Sequence, residues 1–185
     1  MDHYLDIQIV PDPELSVHIA MSGVFGHLHR ALAASGREDI GVSFPQAAKA
    51  GLGAVLRLHG TREALLAMDP AKWVHGARDY VRWDTPAAVP ERAGYCEVRR
   101  IQVKSSPERL RRRQMKRHGW TEEQALERIP DTVAKTLSDP YLKLSSRSTG
   151  QSFRLFIRHG SPVAQARTGA FNSYGLSQTA TVPWF

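Results

Sequence analysis

Cysteine is almost missing from this sequence, and long apolar runs are missing altogether. The single thiol, Cys96, has no partner for an internal disulfide, and no Cys/His spacing suits a structural zinc site. No stretch of about eighteen or more apolar residues occurs, which excludes a membrane-spanning helix. The opening Met1–Val10 has an acidic second residue, Asp2, and alternates like a strand; it does not present a cationic and then apolar leader. The expectation is a cytoplasmic protein in a reducing compartment with no membrane association. Acids are also scarce where bases are dense. No convincing carboxylate pair stands near the basic segments, which argues against a two-metal nuclease, so neither a metal nor a cofactor is expected.

What is present fits a globular chain of one large or two small domains: 185 residues, 42% hydrophobic and 23% charged. A formal charge of +7 points to a polyanionic partner, and its distribution sharpens that. Between Arg99 and Arg117 nine lysines and arginines face one acid, Glu108. Pro107 in the first turn after Ser106, with Gly119 as a stop, predicts a helix over 107–118. On it Arg109, Arg112, Arg113, Lys116 and Arg117 fall on one broad face, where like charges repel until a polyanion neutralises them. Arg100 and Gln102, alternating on the strand before it, carry side chains suited to guanine and adenine edges. Charge alone does not separate RNA from DNA.

The first half alternates strand and helix signals: a strand at 3–9, a helix from Val17 to a stop at Gly36, alternation at Ile40–Phe44, a strand at 55–58, a helix capped by Thr61 through Leu65-Leu66 that restarts at Asp69-Pro70 and reaches Val74, and a strand at 80–83. That order, β-α-β-β-α-β, is the ferredoxin-like pattern within an α+β class. A Pro/Ala/Gly-rich connection at 84–94 separates residues 1–90 from 95–185. Beyond it, a strand is expected over Tyr95–Val103, a capping box at Thr121 and Gln124, strands at Tyr141–Ser145 and Phe153–His159, and further strand signals near Val163 and Phe171.

Several blocks of the chain are similar to a known family. Gln102–His118, Met1–Ile7, Gly41–Pro45, Arg128–Ala134, Ser148–Gln151 with Phe153–His159, Tyr174–Ser177 and Val182–Phe185 resemble, in order and spacing, the type I-F (Csy-type) CRISPR repeat-processing endoribonucleases. Segments 46–95 and 160–170 share least. The resemblance implies a ferredoxin-like N-terminal domain and a smaller C-terminal domain carrying the arginine helix. It implies binding of a CRISPR repeat stem-loop, cleavage at the 3′ base of the stem, retention of the mature crRNA, and assembly with other subunits of a crRNA-guided surveillance complex. By the same resemblance His29 is the catalytic histidine, Ser146 holds the attacking 2′-hydroxyl and Tyr174 orients the site. Arg100 and Gln102 read bases, Phe153 stacks on the terminal pair, and Arg112, Arg113, Lys116, Arg117 and His118 enter the groove. Lys104 and Arg109 complete the RNA-binding set, and Ser148 and Thr149 approach the scissile backbone. Lys116 stands where the family carries arginine, which exchanges a planar fork for a point charge.

Chemistry supports the roles to different degrees. RNA supplies its own nucleophile, so a protein needs a base, alignment and charge stabilisation; histidine, with a reference pKa of about 6.5, suits the base. Attack by the 2′-oxygen gives a 2′,3′-cyclic phosphate and a 5′-hydroxyl. Judged on residues alone, His27 is nearly as good a choice as His29, Ser146 reads as a turn cap, and Tyr174 and Phe153 read as core aromatics. A non-catalytic RNA-hairpin-binding subunit and a basic DNA-binding module are the rival readings of the same arginine helix.

Overall fold

The structure is a computed structural model that describes residues 1–102, 107–130, 137–146 and 150–185. It comprises two compact units, Met1–Ile101 with Asp139–Phe185, and Gln102–Ser138. Lys104, Ser148, Thr149 and the expected cap Ser106 lie outside the described residues.

In the larger unit, β1 (His3–Ile9) leads through α1 (Val17–Ser35) to β2 (Gly41–Ser43), β3 (Val55–Gly60), α2 (Arg62–Ala67) and β4 (Val81–Trp83). These strands make an antiparallel sheet in the order β2-β3-β1-β4, with the short β5 (Ala87–Ala88) also pairing with β1. The register sets Leu5 opposite Leu58 and Ile7 opposite Leu56, and all four are buried. Every second residue of β1 therefore faces the core, the period-2 rule seen in the sequence. Ser16 caps α1, its hydroxyl accepting the Ile19 amide at 3.4 Å, and Gly36 at φ 63° ends it in the left-handed conformation. Met21, Val24, Phe25, Leu28 and Leu32 recur at helical spacing and are essentially fully buried. Phe25 alone is worth about 3–5 kcal/mol against truncation to Ala.

The helix capped by Thr61 breaks and restarts at Asp69-Pro70, as expected, but the second piece stops short of Val74. α2 ends at Ala67, and a single 3₁₀ turn, Pro70–Lys72, follows after the Asp69 carboxylate caps it. The expected strand over Tyr95–Val103 is also divided. β6 (Gly94–Cys96) pairs with the C-terminal strand β10 (Val182–Trp184), whereas β7 (Val98–Ile101) joins a second sheet. The switch falls at Glu97, whose carbonyl accepts the Gly160 amide at 2.8 Å. That second sheet has the order β7-β9-β8, with β8 (Tyr141–Ser145) and β9 (Ser152–His159) forming a hairpin. Val163 makes only an isolated bridge to Tyr95, and Phe171 is buried in a loop where its amide donates to Glu38 at 2.9 Å.

The smaller unit holds α3 (Pro107–His118) and α4 (Glu122–Arg128). Gly119, at φ 66°, stops α3 and donates its amide to Met115 at 2.8 Å. Thr121 and Gln124 form the expected capping box. No residue of α3 is buried. Its basic face is exposed at Arg109, Arg112, Arg113, Lys116, Arg117 and His118. Arg111 differs: half-buried, it donates to the Ile129 carbonyl at 2.8 Å and so links α3 to the end of α4. His118 stacks on Trp120 at 5.2 Å, and Arg128 covers the same indole at 4.6 Å.

Candidate active site

In the larger unit an open cleft of roughly 680 Å³ lies between α1 and β8. His29, Ser146, Tyr174 and Phe153 all line it, so residues far apart in sequence meet in one place. His27 lines it too.

His29 is on the last third of α1, at the edge of the buried stripe and one turn beyond Phe25. Its ring lies flat against Tyr174, with centroids 3.9 Å apart and planes 5° from parallel. Phe25 lies parallel to the same tyrosine at 6.4 Å. His29 Nδ1 lies 2.8 Å from the backbone oxygen of Ser173. A carbonyl oxygen only accepts, so Nδ1 carries the hydrogen and donates it there. The neutral ring then has its lone pair on Nε2.

Tyr174 and the Ser173 carbonyl share one tight turn. The Asn172 carboxamide oxygen accepts the Tyr174 amide at 2.8 Å and the Leu176 amide at 3.3 Å, an Asx arrangement that fixes the turn. The Asn172 carbonyl accepts the Gly175 amide at 2.8 Å, and the Gly175 carbonyl accepts the amide of Val42 on the β2 edge at 2.9 Å. Gly175 has φ 67°, and an added Cβ would run into the Val42 side chain. Only glycine satisfies both demands. The turn that holds His29 is thus itself anchored to the first sheet.

Ser146 follows β8 directly. Its amide donates to Gln151 at 2.9 Å and its carbonyl accepts from Gly150 at 2.8 Å, which pins the ends of the 146–151 hairpin connection. Phe153 sits opposite Leu144 in the hairpin register, and the Arg100 guanidinium lies 5.9 Å from its ring centre. Gln102, in the smaller unit, is exposed.

Two features distinguish His29 from His27. Burial, then the neighbouring Arg30, push His27 below the usual histidine range, and it has no aromatic partner among the described residues. His29 is half-buried, stacked and fixed in one tautomer. Among the described residues no group of three or more His, Cys, Asp or Glu could hold a metal ion. No helix there is long and apolar enough to cross a membrane.

Sequence reasoning did not find Ser173 or Asn172. Ser173 acts through its backbone oxygen, which no side chain advertises. Asn172, three residues before Gly175, is a recognisable Asx-turn signal, but nothing local shows that the turn closes on α1.

Comparison with known proteins gives the class and then the family. The chain is 51% identical over 187 residues to the CRISPR-associated endonuclease Cas6/Csy4 of Pseudomonas aeruginosa (strain UCBPP-PA14), covering all of both chains. It is 48% identical over 185 residues to the CRISPR-associated endonuclease Cas6/Csy4 of Escherichia coli (strain UTI89 / UPEC), again over both full lengths. Full-length relatives at this level of identity make the protein an endonuclease. The model of the CRISPR-associated protein family Cas_Csy4 matches residues 4–185, and the chain belongs to that family.

Proposed function

We propose that this endonuclease is metal-independent, binds the stem-loop of CRISPR repeat RNA and cuts at the 3′ base of the stem. The observation that carries the mechanism is the His29 geometry: Nδ1–H given to the Ser173 carbonyl, the ring stacked on Tyr174, and Nε2 left as the base. Nε2 takes the proton of the 2′-hydroxyl, which Ser146 orients. The 2′-oxygen forms a bond to phosphorus as the P–O5′ bond breaks, and the leaving oxygen takes up a proton. The products are a 2′,3′-cyclic phosphate and a 5′-hydroxyl.

In the same reading Phe153 stacks under the last base pair, and Arg100 and Gln102 read its neighbourhood. Arg109, Arg112, Arg113, Lys116, Arg117 and His118 contact phosphates in the groove, with Lys104, Ser148 and Thr149 completing the RNA surface. Residues 1–90 form a ferredoxin-like domain, which the order β2-β3-β1-β4 supports, and residues 95–185 carry the hairpin-binding helix. The protein stays on the mature crRNA, works in the cytoplasm and joins other subunits of a type I-F surveillance complex.

Replacing His29 by Ala tests the catalytic role. Single-turnover cleavage of a labelled repeat hairpin should fall by about 10²–10⁴-fold, with hairpin affinity kept within a few-fold. Undiminished cutting by His29→Ala overturns the mechanism.

A further inference from the structure

The cleft does not end at His29. It continues back along α1 past Gly26, Gly23 and Ile19 to His18, eleven residues or about 16 Å of helix. β8 keeps pace with it: the Tyr141 ring meets His18 edge-on at 5.2 Å, and the Lys143 amide donates to the Ser22 hydroxyl at 3.1 Å. Arg30 and Lys143 line the cleft, both exposed, and neither side chain forms an ion pair among the described residues. No described carboxylate lines it. A Cβ on Gly23 would meet nothing within 4 Å, so this helix-weakening glycine faces open space. Ile19, 60% exposed, adds an apolar surface beside the cations. Cations along a groove, with an apolar contact for a base, are what an unpaired nucleic-acid strand needs.

Resting on the function proposed above, one end of the cleft, at Phe153 and Ser146, takes the foot of the stem, and His29 takes the scissile position. The strand crossing His29 leads on toward His18. We propose that this extension of the cleft binds the single-stranded RNA 3′ of the cut, with Arg30 and Lys143 contacting its phosphates.

The test uses full-length protein carrying His29→Ala, so that RNA is bound without being cut. Two repeat hairpins are compared, one ending a single nucleotide past the cut and one extending six. The longer RNA should show a steeper dependence of log Kd on log salt, by about 0.7 per phosphate and so about 1.4 for two. Adding Arg30→Ala and Lys143→Ala should remove that increment, and so should methylphosphonate linkages in the flank with the two cations intact. Equal slopes for the two RNAs, or an increment that survives both changes, overturns the proposal. Failure of the functional reading shows separately: wild-type protein then cuts neither hairpin, and the proposal falls with it.

Discussion

A single hydrogen bond decides which nitrogen of His29 keeps its lone pair. Because Ser173 offers a carbonyl, the ring is held with Nδ1 protonated, and because Tyr174 lies flat on it, rotation about the ring axis is blocked. Both partners hang on the Asn172 turn. Asn172→Ala is therefore expected to slow cleavage by roughly ten- to a hundredfold through misplacement of His29, with hairpin affinity retained. Asn172→Asp, which keeps the acceptor oxygen, should restore most of the rate. Equal single-turnover rates for Asn172→Ala and wild type contradict this dependence. The residue scale is also where the sequence is least readable. His29 and His27 are both plausible from periodicity, and only the fold brings the 172–176 turn to one of them.

Among the elements, α1 serves two functions from two faces. Its buried stripe from Met21 to Leu32 builds the core, and its edge presents His29 and the glycines to the cleft. That stripe is legible in sequence because helical spacing is a local property. The division of 94–101 between two sheets is not, since Glu97 switches partners only through the distant Gly160. The same limit applies at Gly175, whose requirement comes from Val42 across the fold. Gly175→Ala should lower the melting temperature and slow cleavage together, because relieving the clash moves Tyr174; an unchanged melting temperature speaks against it. In α3 the arginines divide by role. Substituting Arg112 or Arg113 by Ala should weaken hairpin binding and lower the salt slope by about 1 each. Arg111→Ala should instead loosen the α3–α4 pair, read as lost helicity in circular dichroism, because its guanidinium holds the Ile129 carbonyl.

Across the whole molecule, two histidines outside the cleft make stability depend on pH. His59 is fully buried, its Nε2 2.8 Å from the Ser43 hydroxyl, and burial pushes it down to about 3. His159 accepts the Phe44 amide at 3.1 Å, and burial pushes it down to about 4. Both stay neutral in the fold while the unfolded chain takes up protons near pH 6.5. Their contribution is present above that pH and is lost as pH falls from about 6.5 toward 4, by up to about 1.4 kcal/mol per pH unit for each. Urea midpoints should fall steadily from pH 7 to pH 5; a flat profile contradicts the neutral burial of both rings. The α+β class and the order of the first six elements follow from alternation and capping, whereas the meeting of α1, β8 and the 172–176 turn is a property of tertiary packing. In the chemistry proposed for this protein, RNA provides the nucleophile and His29 the base. The most direct measurement of that chemistry is cleavage of an end-labelled repeat hairpin in EDTA, with the product ends identified. Full activity without metal is expected, with a 2′,3′-cyclic phosphate and a 5′-hydroxyl as product ends and no cutting when the nucleotide before the break is 2′-deoxy. Cleavage that requires magnesium, or that proceeds on the 2′-deoxy RNA, contradicts it.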